Sequence, residues 1–84
     1  MDFNKRVWLN GKKSPSTGNA VAFAGKTNWK GKVYDNIFLS VSDCSVSVRL
    51  HKTDEDSRKD FVKKMRKLRN LIDDFIVHLE LEDK

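Results

Sequence analysis

The chain has 84 residues, 38% hydrophobic and 35% charged, with 17 Lys and Arg against 12 Asp and Glu for a net charge of +5. No apolar run approaches the roughly 18 residues of a membrane span, the start Met1-Asp2-Phe3-Asn4-Lys5-Arg6 lacks the apolar stretch of a secretory signal, and a lone Cys44 makes no internal disulfide. These features exclude a membrane protein, a large cofactor enzyme and a disulfide scaffold. The expectation is one small cytoplasmic domain spanning 1–84, held in a reducing compartment.

A first strand covers about 3–9 and closes at Asn10-Gly11, a strong turn dipeptide. The next stretch, Lys12-Lys13-Ser14-Pro15-Ser16-Thr17-Gly18-Asn19, reads as a basic loop. A second strand at about 20–27 begins with Ala20-Val21-Ala22-Phe23-Ala24, which alternates small and large residues. It turns near Asn28-Trp29-Lys30-Gly31. Two further runs of period two, at about 33–42 and 44–51, meet at Ser42-Asp43 in a predicted hairpin. In the first, Ile37, Leu39 and Val41 share a face; in the second, Cys44, Val46, Val48 and Leu50 do.

From residue 54 to about 81 the period changes to 3.6. Phe61, Met65, Leu68, Ile72, Phe75 and Leu79 form an apolar stripe that Val62, Leu71 and Ile76 widen. Thr53-Asp54-Glu55-Asp56-Ser57 offers caps and first-turn acids for a helix. The predicted class is α+β: a four-stranded antiparallel sheet in the order β-β-β-β-α, with one long C-terminal amphipathic helix packed on one face. That element order resembles single-strand-binding coactivator domains that dimerise through the helix. The resemblance is one of order alone, and it implies a single-stranded ligand and a helix-mediated dimer.

The net positive charge points to an anionic partner, nucleic acid before an acidic protein. With Ile37, Leu39 and Val41 turned toward the helix, the opposite face carries Asn36, Phe38, Ser40, Ser45, Ser47, Arg49 and His51. Phe38 there suits base stacking, and Arg49 with the hydroxyls suits a nucleic-acid backbone. The plain alternative is a solvated face with one stray ring. Trp29 sits among Lys26, Lys30 and Lys32, an aromatic bracketed by cations. It is either a stacking platform with the lysines on phosphates or a ring folded back onto the core. Lys12 and Lys13 extend the basic surface through the loop.

The helix segregates its charges. Arg58, Lys59, Lys63, Lys64, Arg66, Lys67 and Arg69 precede Asp73, Asp74, Glu80, Glu82 and Asp83. Lys59, Lys63, Arg66 and Lys67 lie opposite the apolar stripe, as a ridge for phosphates or acidic side chains, or as an ordinary solvated face. Asp74 and His78 stand one turn apart, but no third ligand, phosphate loop or nucleophile motif accompanies them. Cys44 and His51 have opposite strand parity and so do not form a couple. The reading is a binding protein with no catalytic residues, no metal and no cofactor. Its partner is nucleic acid, single-stranded favoured, or an acidic protein met by the same basic surface, as in small phage- or plasmid-type regulators. No membrane is involved, and the wide stripe offers a homodimer contact through the C-terminal helix.

Overall fold

The computed structural model describes residues 2–11, 13 and 17–82. It contains four strands, β1 (Phe3–Trp8), β2 (Asn19–Trp29), β3 (Lys32–Asp43) and β4 (Val46–His51), followed by one helix, α1 (Arg58–Glu82). The strands form one antiparallel sheet in the order β1-β2-β3-β4, an α+β arrangement. The chain divides into two compact units, Met1–Asp54 and Glu55–Lys84. Among the described residues no helix is long and apolar enough to cross a membrane.

The β2–β3 and β3–β4 connections are two residues each, which keeps those neighbours in sequence neighbours in the sheet. The β2–β3 hairpin turns on Lys30 (φ 51) and Gly31 (φ 79). Two successive positive φ angles match the right-handed twist of the flanking strands, and glycine at the second position carries no steric cost. Trp29 consequently lies on β2, paired with Lys32, and β2 runs to residue 29 where the sequence predicted about 27. The β3–β4 turn falls at Cys44-Ser45, two residues later than the expected Ser42-Asp43, because Ser42 and Asp43 still pair with Ser47 and Val46. Cys44 takes the left-handed conformation there (φ 54) and so belongs to a turn, not to β4. At the same end of the sheet, Leu9 N–H donates to Gly18 O at 2.8 Å and Gly18 N–H donates to Asn10 Oδ1 at 2.6 Å, closing the 10–18 loop.

The register sorts the side chains. Leu39 opposes Ala22 and Leu50, Val41 opposes Ala20 and Val48, and Ile37 opposes Ala24, so these share one face with Phe3, Lys5 and Val7 of β1. The sheet's apolar positions group as their period of two requires.

Ser57, the last of the predicted caps, precedes α1, whose first residue, Arg58, comes four residues later than the expected start at 54. The Ser57 hydroxyl accepts from Asp60 N–H at 3.1 Å, and the Asp60 carboxylate accepts from Ser57 N–H at 3.2 Å. This reciprocal box satisfies two amides that the first turn cannot bond internally. Hydrogen bonds to its carboxylate from the Ser57 backbone N–H and then from the Ser57 side chain, with Lys63 adding a smaller effect, hold the Asp60 carboxyl below its ordinary pKa. Phe61 is buried. Further along, Ile72, Phe75 and Leu79 are exposed, Phe75 by 58%.

Candidate nucleic-acid interface

The face of the sheet opposite Leu39 is built in rows across the strands. Asn4 pairs with Phe23, Phe23 with Phe38, and Phe38 with His51. One row therefore carries three rings on adjacent strands. Phe23 and Phe38 stack with centroids 5.5 Å apart and an interplanar angle of 18°. The His51 ring lies 6.4 Å from Phe38 at a tilt of 48°.

Two residues along the strands, about 6–7 Å away, runs a second row: Arg6, Val21, Ser40 and Arg49. It has an arginine on each edge strand. The Arg49 guanidinium carbon sits 4.2 Å from the centroid of Phe38, where the negative face of the ring attracts a cation. The Arg6 guanidinium approaches the Trp8 ring at 6.0 Å. Beyond it, the row Trp8, Asn19, Ser42 and Ser47 ends the face, with the two serine hydroxyls 3.2 Å apart.

Toward the β2–β3 hairpin the same face carries Thr27 opposite Tyr34 and Trp29 opposite Lys32. Trp29 is 63% exposed and Trp8 65%. Lys30 Nζ lies 5.9 Å from the Trp29 ring. No strand residue on this face is acidic. Asp35 and Asp43 project from the other side, as their parity on β3 dictates. The Asp2 carboxylate, ahead of β1, does approach it: a Cβ placed on Gly25 would lie 3.2 Å from its Oδ1. That same Cβ would meet the Phe23 ring at 2.9 Å, so glycine at position 25 leaves room for the ring to lie along the strand.

The sequence-predicted residues divide by this geometry. Trp29, Lys32, Phe38 and Arg49 share the ring-bearing face, and Lys30 sits at its hairpin tip. Lys26 does not join them. It points to the opposite face, where its Nζ donates to Asp35 Oδ1 at 2.9 Å, and Lys52 brings a second ammonium 3.9 Å from the same carboxylate. Lys13 is exposed in the 10–18 loop, and Lys12 lies outside the described residues. Lys59, Lys63, Arg66 and Lys67 are exposed on α1. His78 Nε2 lies 3.2 Å from Glu82 Oε1, and among the described residues no three His, Cys, Asp or Glu side chains gather as a metal site would need.

Four residues of the face were not singled out from sequence as site residues: Arg6, Trp8, Phe23 and Tyr34. Parity held the signal. Phe23 and Trp29 are six residues apart on one strand and Tyr34 and Phe38 four apart on the next, so each pair shares a side. Linking Arg6 to Arg49 needed the register of all four strands. No family model matches the chain, and no curated protein or solved structure does either.

Proposed function

We propose that the protein binds single-stranded nucleic acid across the ring-bearing face of its sheet. The observation that carries this reading is the row Phe23–Phe38–His51 lying beside the row bounded by Arg6 and Arg49, on a face whose strand residues include no carboxylate. Unstacked bases have two π faces to offer, and flat rings at strand spacing receive them without regard to sequence. The arginines and Lys32 take the phosphates. A duplex keeps its base faces stacked inside, so exposed rings on a sheet favour a single strand. Trp29 and Trp8, both exposed at opposite ends of the face, extend the platform beyond the central row. The exposed Cys44 suits a reducing compartment, and the cytoplasm is part of the same proposal.

The test uses the intrinsic fluorescence of Trp8 and Trp29. Titration of the full chain with a thymidine oligonucleotide is expected to quench this signal, and a duplex of the same length is expected to bind more weakly. Phe38→Ala should cost about 1–3 kcal/mol of binding, the usual contribution of one stacked base, with the circular dichroism of the sheet retained. Quenching by polyglutamate equal to that by the oligonucleotide, and indifferent to Phe38→Ala, would instead make the surface a site for acidic protein.

A further inference from the structure

We propose that Asn10-Gly11 is a site of spontaneous covalent modification: the Asn10 side chain loses its amide to the Gly11 backbone nitrogen, and the product unfastens the 10–18 loop. This inference stands apart from whatever the sheet binds. The chain has six asparagines. Asn4, Asn19, Asn28 and Asn36 lie on strands and Asn70 on α1, and each is followed by a residue that carries a side chain. Among the described residues, which include all six, Asn10 alone stands outside a strand or helix, and it alone precedes a glycine. Asn10 and Gly11 are both exposed. A Cβ built on Gly11 meets nothing within 4 Å beyond its chain neighbours. With no Cβ of its own, Gly11 leaves its nitrogen open to hydroxide and free to approach the Asn10 side chain.

The fold also prepares the electrophile. Gly18 N–H donates to Asn10 Oδ1 at 2.6 Å. Attack on the Asn10 Cγ puts negative charge on that oxygen, and a backbone donor already aimed at it stabilises the charge as it develops. Gly18 is buried, and a Cβ there would lie 2.5 Å from Asn10 Oδ1, so glycine at 18 is what admits the contact. The step balances with water alone. Gly11 N gives its proton to hydroxide and bonds to Asn10 Cγ. The Cγ–Nδ2 bond breaks, Nδ2 takes a proton from water, and ammonia leaves. The cyclic imide then adds water at either carbonyl. Opening on one side gives aspartate; opening on the other gives isoaspartate, in which the main chain runs through Cγ. Nothing is oxidised or reduced.

The product undoes the contact that favoured its formation. In isoaspartate the former Oδ1 carbonyl joins the peptide to Gly11 and the chain is longer by one carbon, so the acceptor of the Gly18 N–H is drawn away. The Asp43 Oδ1 lies 3.4 Å from the same Gly18 Cβ position, so the new carboxylate arises beside one already there, and like charges at short range repel. The Leu9 N–H bond to Gly18 O is then left to hold the loop.

The full chain is held in mildly alkaline buffer and digested at intervals, and mass spectrometry reads amide loss at each of the six asparagines. Asn10 is expected to convert at least tenfold faster than any other, in proportion to hydroxide. Conversion no faster than at Asn28 or Asn36 overturns the proposal. Gly11→Ala meets open space and should slow the loss about tenfold by crowding the nucleophile; an unchanged rate would show that the Gly11 nitrogen is not the attacking atom. Because the Gly18 donor exists only in the folded chain, Asn10 should convert no more slowly there than in urea. Tenfold protection by the fold would overturn the site as built. The isoaspartyl form is separated by its lost unit of positive charge, and hydrogen exchange is read at the Gly18 amide. Exchange at least tenfold faster than in the unmodified chain is expected, and unchanged protection would overturn the unfastening of the loop.

Discussion

Arg49 stands 4.2 Å from the centroid of Phe38, on the ring face that a base would use. A guanidinium in that place is either a charge that moves aside for the base or a flat surface on which the base stacks in turn. Arg49→Lys separates the two, because lysine keeps the charge and loses the plane. We expect Arg49→Lys to weaken oligonucleotide binding nearly as much as Arg49→Ala, by about 1–3 kcal/mol for the missing stack. Near-complete rescue by lysine in the fluorescence titration would reduce Arg49 to a phosphate contact. Gly25 supports the same row from beneath. A Cβ there would press the Phe23 ring at 2.9 Å, and the free end of that ring has to swing away. Gly25→Ala is therefore expected to disturb the Phe23–Phe38 stack, worth about 0.5–1.5 kcal/mol beyond its buried area, and to impair binding more than it lowers the melting temperature. A variant that binds normally but melts early would place the cost in the strand backbone, not in the ring row.

At the level of the element, the start of α1 rests on one pair of residues. Ser57→Ala removes the hydroxyl that accepts from Asp60 N–H and should cost about 1 kcal/mol of stability, measured by urea denaturation. Asp60 makes the same cap sensitive to acid. Its folded pKa is depressed by hydrogen bonds from Ser57, so the stabilisation it provides is complete above the unfolded carboxylate pKa of about 4. It is lost as pH falls through the lower folded value. Helix content should decline with acid in the wild type and be flatter with pH below 4 in Asp60→Asn. The existence and order of the five elements were legible in the sequence because periods of two and 3.6 are distinct and only one proline interrupts the chain. The boundaries were less so. Trp29 reads as a turn residue by its neighbours, yet a two-residue loop on Lys30 and Gly31 suffices and leaves it on the strand. Cys44 reads as a strand residue by its parity, yet backbone pairing carries Asp43 to Val46 and leaves Cys44 to turn. Lys26 reads as part of the basic site only if proximity in sequence is taken for proximity on a face. One residue of parity puts it on the other side with Asp35. The arginine row was illegible for a deeper reason: strand periodicity fixes which side a residue takes but not which residue it meets across the sheet.

For the whole molecule, the decisive feature is where the charge resides. Met1–Asp54 holds nine Lys and Arg against four Asp and Glu, whereas Glu55–Lys84 is balanced. The whole excess of +5 therefore belongs to the unit that contains the sheet, even though the densest run of cations is on α1. Those helical cations are answered by acids within the same unit, while the cations on the ring-bearing face meet no acid on its strands. On the proposed function, an anionic polymer is expected to engage the sheet more than the helix. Salt tests this directly. If Arg6, Lys30, Lys32 and Arg49 neutralise about four phosphates of a single strand, the log–log slope of affinity against salt should be near −3. Arg6→Ala with Arg49→Ala should flatten that slope by between one and two units, at about 0.7 for each phosphate no longer neutralised. Lys59→Ala with Lys63→Ala should lower the affinity little and leave the slope within about half a unit of wild type. Both pairs remove two charges from the chain, so a slope that merely tracked net charge would fall equally in the two. The reverse pattern, flattening with the helical pair alone, would move the phosphate contacts to α1 and leave the ring row without its strand.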